Sequence, residues 1–174
     1  MAFFPPSNIA HAMHIRDATI DDLPSIVAIY NSTVPSRMVT ADLEPVSVAS
    51  RQEWFDEHSP ARRPLWVACD GGQIAGWLSY SSFLSRPAYH PTCEVSIYLA
   101  PEHRRCGLGS QLLQRCIDHA PSIKVTSLVG LIFGHNQPSL RLFEKMGFSQ
   151  WGFLPRVALL DGIERDLVIV GRRV

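Results

Sequence analysis

CEVSIYLAPEHRRCGLG, Cys93 to Gly109, changes its periodicity half-way along, and that change decides the fold. Cys93, Val95, Ile97 and Leu99 alternate with Glu94, Ser96 and Tyr98, the period of two that gives a strand with two unlike faces. Pro101 ends that strand. Leu108, Leu112, Leu113, Cys116 and Ile117 then fall on one face of a helix that runs up to Pro121. Between strand and helix lie Arg104, Arg105, Cys106, Gly107, Leu108 and Gly109. Two glycines at such a junction let the backbone come close to a ligand and leave amides free. Those amides, with the positive end of the helix dipole, suit a pyrophosphate, and Arg104 and Arg105 add charge at the rim. A plain turn before a helix would read the same way.

Outward from this segment, the spacing predicts a short strand over 14–18 and a helix that buries Leu23, Ile26, Val27 and Tyr30. Thr19 or Asp21 can cap that helix, and Pro24 is tolerated in its first turn. A second, weaker helix is expected over 46–58, with Trp54 and Phe55 inward. Apolar runs over 65–69 and 74–80, joined by Asp70-Gly71-Gly72-Gln73, read as a hairpin. A strand over 125–133 follows, then a helix opened by Pro138 that buries Leu142, Phe143 and Met146 and is capped by Gly147. The chain closes on a hairpin over 157–160 and 163–170 around Asp161-Gly162. The order β α α β β β α β α β β is that of a mixed α/β sheet with helices on its faces.

The chain has 174 residues, the size of one domain. Its 16 basic and 16 acidic residues cancel, which argues against a grip on nucleic-acid phosphates. At 46% hydrophobic and 18% charged, the chain can bury a sizeable core. No apolar stretch nears the roughly 18 residues of a membrane span. Cys69, Cys93, Cys106 and Cys116 form no C-x-x-C pair and no zinc spacing, and read as reduced thiols of a cytoplasmic protein. Residues 1–12 lack the basic and apolar regions of an export signal and read as a loose extension ahead of a domain over 13–174, or as an early start with Met13 near the true one. Rival phosphate motifs are absent: Leu112 stands where a dinucleotide fingerprint needs Gly or Ala, and there is no nucleoside-triphosphate P-loop. There is no G-x-S-x-G elbow of a serine hydrolase either.

Strand, R-x-x-G-x-G, helix and strand, followed by Asn136-Gln137-Pro138-Ser139 and Glu144-Lys145-Met146-Gly147-Phe148, resemble the GCN5-related N-acetyltransferase superfamily. "YNSTV", "RPAY", "CEVSIYLAPEHRRCGLG" and "FGHNQPSLRLFEKMGF" are similar in order and spacing to its phosphinothricin acetyltransferase-like branch, over about residues 13–172. The resemblance implies an acetyltransferase fold, with a mixed, mostly antiparallel sheet of about seven strands and about four flanking helices. It also implies that acetyl-CoA lies along Ile97, Tyr98 and Leu99, with its pyrophosphate on the amides of Arg105, Cys106, Gly107, Leu108, Gly109 and Ser110. Asn136 and Ser139 match positions on the pantetheine or phosphate side, and Lys145 one that reaches the nucleotide. Asn136 is equally at home as an ordinary helix-entry residue. A homodimer is implied by the branch alone.

Glu94 is the candidate base. Only a neutral amine attacks a thioester, and a carboxylate in a half-buried strand can take its proton directly or through a water. An ordinary glutamate is too acidic for that task, so burial would have to raise its pKa or a water chain would have to relay the proton. The rival reading is a salt bridge to His90 or Arg86. Arg86-Pro87-Ala88-Tyr89 matches the branch's loop that meets the acceptor; Tyr89 could orient an amino acid, and Arg86 or Arg37 could hold its carboxylate in a fork. Either arginine could also be a plain surface charge. The tryptophans read as core, and the scattered histidines show no metal geometry. Phe143 stands where many members place a Tyr or His near the thioester sulfur, and it has no proton to give.

The resemblance, with these residues, implies acetyl transfer from acetyl-CoA to the amine of a small molecule, an amino acid or an analogue such as phosphinothricin or methionine sulfoximine, by direct attack in a ternary complex. The alternatives are a non-catalytic acyl-CoA sensor and an acetyltransferase for protein N-termini or polyamines.

Overall fold

The computed structural model describes residues 13–174. The expected extension over 1–12 lies outside the described residues. The elements are β1 (His14–Asp17), α1 (Leu23–Asn31), α2 (Gln52–Asp56), β2 (Leu65–Asp70), β3 (Gln73–Ser82), β4 (Thr92–Leu99), α3 (Leu108–His119), β5 (Ser127–Phe133), α4 (Gln137–Lys145), β6 (Ser149–Leu160) and β7 (Ile163–Arg173). Short 3-10 turns join several of them. The strands form one sheet in the order β1-β2-β3-β4-β5-β7-β6. Every neighbouring pair is antiparallel except β4 and β5. This is the mixed, mostly antiparallel seven-stranded sheet with four helices that the sequence implies.

The period of two along β4 sorts its side chains between two cores. Cys93 and Val95 turn towards α3, whose apolar stripe Leu108, Leu112, Leu113, Cys116 and Ile117 is buried against them and against Leu78 and Tyr80. The Tyr80 hydroxyl, otherwise costly in a core, donates to the carbonyl of Cys116 at 2.6 Å. On the opposite face Ile26 and Ile29 of α1 pack on Leu65, Val67 and Trp77. Trp77 donates its indole N–H to the Ile26 carbonyl at 3.1 Å, which pins α1 to β3. Asp22, just before α1, takes a two-pronged contact from Arg16 at 2.6 and 2.9 Å, which holds its carboxyl below the usual range.

Two elements depart from the sequence expectation. The helix expected over 46–58 is confined to α2 and the 3-10 turn Ala49–Arg51 before it. The Asn31 amide clamps both backbone groups of Val46, at 2.9 and 2.8 Å, and Ser47 and Ser50 bond each other's backbone. Such local bonds offer the chain an alternative to the helical ladder. The terminal hairpin, conversely, is longer than expected: β6 begins at Ser149, well before residue 157. Gly152 and Pro155 read as loop punctuation, but they fall at register shifts on an edge strand, where bulges and proline are tolerated. The Asp161-Gly162 turn is as expected, with both residues at positive φ.

Candidate active site

The site begins where the sheet splits. β4 and β5 pair only through Thr92 with Ser127, Cys93 with Leu128 and Glu94 with Val129. Beyond that point β4 stays on β3 as far as Leu99, and β5 stays on β7 as far as Phe133. The two strands diverge, and the side of β4 that faced β5 loses its ladder partner. A groove of about 470 Å³ occupies the wedge.

Of the residues implied to hold acetyl-CoA, Ile97, Tyr98, Leu99, Arg104, Arg105, Gly107, Gly109, Ser110, Asn136, Ser139 and Phe143 line this groove. Thr33, Ser36, Met38 and Val39, from the segment after α1, complete its wall. Arg105 and Gly107 both adopt left-handed φ, at 62° and 86°, just ahead of α3. Alternation of this kind turns successive N–H groups towards one concave side, a nest for an anion at a helix start. A Cβ built on Gly107 would meet nothing within 4 Å. Glycine is therefore required there by φ, and the space beside it is open to a ligand.

Three of the implied contacts lie off the groove. The Leu108 side chain is in the core, so this residue can serve the groove only through its backbone. Cys106 is exposed, and its Sγ–H donates to the His103 carbonyl at 2.9 Å. Lys145 ends α4 and does not border the groove. Asn136 caps α4 and also lines the groove. Its Oδ1 accepts the Ser139 N–H at 3.2 Å as the cap of α4, which leaves the Nδ2 hydrogens for the groove.

On the far side of Tyr98 lies a second, smaller cavity of about 190 Å³. Its floor is three cross-strand pairs on one face of the sheet: Ser81 opposite Glu94, Ser79 opposite Ser96 and Trp77 opposite Tyr98. Tyr30 of α1, together with Arg51 and Trp54, forms the walls. Glu94 therefore faces a half-open cavity, and Tyr98 borders both that cavity and the groove. The Glu94 carboxylate makes no ion pair among the described residues, so the salt bridge to His90 or Arg86 is not formed. Burial alone pushes its pKa upward. An unpaired carboxylate of raised pKa at a cavity wall is suited to accept a proton.

The Acetyltransferase (GNAT) family model matches residues 25–148. The chain belongs to the GNAT acetyltransferase family. "Putative phosphinothricin acetyltransferase YwnH" of Bacillus subtilis is 52% identical over 163 residues, which cover 93% of this chain and 99% of that protein. The L-methionine sulfoximine/L-methionine sulfone acetyltransferase of Pseudomonas aeruginosa is 36% identical over 157 residues, 90% of this chain and 91% of that one. A phosphinothricin acetyltransferase from Sinorhizobium meliloti, solved in complex with acetyl-CoA, superposes with a TM-score of 0.88 at 29% identity, covering 93% of this chain and 88% of that chain. The chain is an acetyl-CoA-dependent N-acetyltransferase. Its groove fits that cosubstrate: it offers an amide nest at a helix start for a diphosphate, and a bare β4 edge for an amide-bearing arm.

In this GNAT protein the expected acceptor residues and the cavity do not coincide. Arg86, Pro87, Ala88 and Tyr89 form an exposed turn after β3 and do not line the cavity. Tyr89 is set edge-on to Phe83, with ring centroids 6.4 Å apart. Arg37 grips Asp161 at the tip of the β6–β7 turn at 2.7 and 3.2 Å, and also donates to the carbonyls of Val34 and Leu43. Its fork is thus engaged within the chain. Sequence reasoning took Trp54 and Trp77 as core and gave Tyr30 and Arg51 no part in a site, yet all four line the cavity with Glu94. The signal was the shared period: 77, 79 and 81 on β3 face the same way as 94, 96 and 98 on β4.

Proposed function

We propose that this enzyme acetylates the amino group of a small amino acid or analogue, with Glu94 as the base, in a ternary complex with acetyl-CoA. The observation that carries this reading is the unpaired Glu94 carboxylate on the wall of a cavity that meets the groove at Tyr98. Acetyl-CoA supplies an activated acyl thioester. The chain supplies the rest. Amides from Arg105 to Ser110 take the diphosphate, and the free edge of β4 at Ile97 to Leu99 aligns the pantetheine arm, with Asn136 and Ser139 beside it. Phe143 is an apolar wall that excludes water. Glu94, raised by burial, takes a proton from the ammonium, directly or through a water, so that the nucleophile is neutral.

The cavity, at about 190 Å³, is below the roughly 300–1,000 Å³ of ordinary ligand pockets and favours a compact acceptor. The relatives' names point the same way, to phosphinothricin and methionine sulfoximine as acceptor types. Thiol release from acetyl-CoA, measured over phosphinothricin, methionine sulfoximine, the common amino acids and simple amines, tests the reading. Turnover restricted to amino-acid-like compounds supports it. Binding of acetyl-CoA with no release for any acceptor would instead make the protein a sensor.

A homodimer completes the proposal. Phe153, Leu154, Val157 and Leu159 of the edge strand β6, and Ile163 at the start of β7 beside it, are all exposed. Apolar exposure concentrated along an edge strand is what pairing of two copies covers. Leu159→Lys should shift the sedimentation coefficient to that of a monomer. The proposed compartment is the cytoplasm, where the free thiols would stay reduced. Among the described residues no helix is long and apolar enough to cross a membrane.

A further inference from the structure

Among the described residues, Arg51 is the single cationic side chain on the cavity wall, and Glu94 is the single anionic one. Arg51 is held in place from behind. Its Nη2 donates to Asp42 Oδ2 at 2.8 Å, and the same oxygen accepts the Tyr30 hydroxyl at 2.5 Å. The guanidinium lies over the Tyr30 ring, 5.0 Å from its centroid. Asp42 itself does not border the cavity. An arginine has five N–H donors in a planar fork, and this one makes no other side-chain hydrogen bond among the described residues. Arg51 lines this space together with an aromatic wall of Trp54, Trp77 and Tyr98.

We infer that Arg51 binds the α-carboxylate of the acceptor while Glu94 receives its α-ammonium, so that the cavity selects zwitterionic amino acids over simple amines. This rests on the acceptor reading above and gives it a chemical rule. A guanidinium fork matches a carboxylate bidentately, and a low-dielectric pocket strengthens the pair. Arg51, Glu94 and Tyr98 line the same cavity. A diamine would set a second ammonium beside Arg51, and like charges there would repel it. An amino-acid amide would leave the fork without its anion. Arg37 and Arg86 do not compete for this role at the cavity wall, since neither lines it.

The test uses the full-length enzyme with two acceptors, L-methionine sulfoximine and its α-carboxamide. The wild type should favour the acid by about 10²-fold or more in kcat/KM, from two charge-assisted hydrogen bonds. Arg51→Met should bring that ratio close to one, mainly through KM, and Arg51→Lys should retain part of it. Acetyl-CoA affinity, measured by calorimetry, should stay at the wild-type value in both variants and so report a folded groove. Asp42→Asn, which frees the guanidinium, should lower the ratio by about tenfold. A wild-type preference that survives in Arg51→Met overturns the anchor while leaving the acceptor reading intact. So does a wild type that acetylates acid and amide alike. If neither compound is acetylated, the acceptor reading and the anchor fall together.

Discussion

The ring of Tyr98 lies flat on that of Trp77, its partner across β3 and β4, with centroids 4.5 Å apart and planes at 21°. Tyr98 is thereby fixed as a partition: one side borders the groove and the other the Glu94 cavity. Tyr98→Ala should open the two spaces into one. Expected outcomes are faster hydrolysis of acetyl-CoA without an acceptor and weaker discrimination among acceptors. Tyr98→Phe keeps the stack, worth about 0.5–1.5 kcal/mol beyond burial, and should leave that background hydrolysis unchanged. Equal background rates in the alanine variant and wild type would show that Tyr98 is not a barrier.

Glu94→Gln separates chemistry from stability. Loss of a general base costs typically 10² to 10⁴ in rate, so turnover near neutral pH should fall by that order while acetyl-CoA binding is kept. Burial raises the carboxyl, so the acid limb of kcat/KM in the wild type should lie above the ordinary glutamate range. Stability should move the other way. The folded chain holds that proton more tightly than the unfolded one; the associated stability is complete below the unfolded glutamate pKa and is lost as pH rises through the raised value. Glutamine removes that loss. The melting temperature of Glu94→Gln relative to wild type should therefore climb as pH rises above the ordinary glutamate range. A flat difference would mean that the carboxylate is not strained by its site.

Most of the fold was legible because its signals are local. The alternation in β4, the spacing in α3 and the Asp161-Gly162 turn each declare themselves within a few residues. The groove followed from the glycines between them. The Glu94 cavity was not legible in that way. Its walls come from α1, α2, β3 and β4, and an inward tryptophan on a helix reads as core until the sheet places Glu94 opposite it. Arg51 gave no signal of its own, because its orientation depends on Asp42 and Tyr30, which lie in separate parts of the chain. The Arg37–Asp161 ion pair was hidden for the same reason, since Asp161 is distant in sequence, at the tip of the last hairpin. The early start of β6 was hidden by bulges, which look like loop punctuation when read residue by residue.

Gly107 and Gly109 should respond differently, although the motif presents them alike. At Gly107 the limit is backbone: φ is 86°, where an L side chain costs about 1–2 kcal/mol. Gly107→Ala should lower acetyl-CoA affinity about tenfold or more by unwinding the nest, and Gly107→Asn should lose less, because Asn tolerates this region. At Gly109 the limit is space: a Cβ would stand 3.1 Å from Leu142 Cδ2 and 3.6 Å from Leu99 Cδ1. Alanine gains about 1 kcal/mol of helix propensity there, against a modest shift of Leu142. Gly109→Ala should be close to neutral in melting temperature. Calorimetry on the pair checks both, and equal losses of affinity would remove the distinction.

Phe143 holds the last prediction, because two roles compete for it. It lines the groove, but it is only 5% exposed. Its ring meets Phe148 edge-on at 4.9 Å, and a Cβ on Gly130 would come within 2.9 Å of its Cε1. The ring is therefore part of the core as well as a wall. Phe143→Ala should cost about 3–5 kcal/mol of stability, a fall in melting temperature of the order of 10 °C for a chain of this size. Loss of activity in that variant would say little about chemistry. Phe143→Tyr is the informative change, since it keeps the ring and adds a hydroxyl. A thiol with a pKa near 8.5 departs as its thiolate with little help, so an added donor has little barrier left to remove. The tyrosine variant should change kcat by only a few-fold, with a pH profile still set by Glu94. A large gain in kcat, with a new basic limb from the phenol, would show that protonation at this position had been limiting and that the apolar wall is not the role of Phe143.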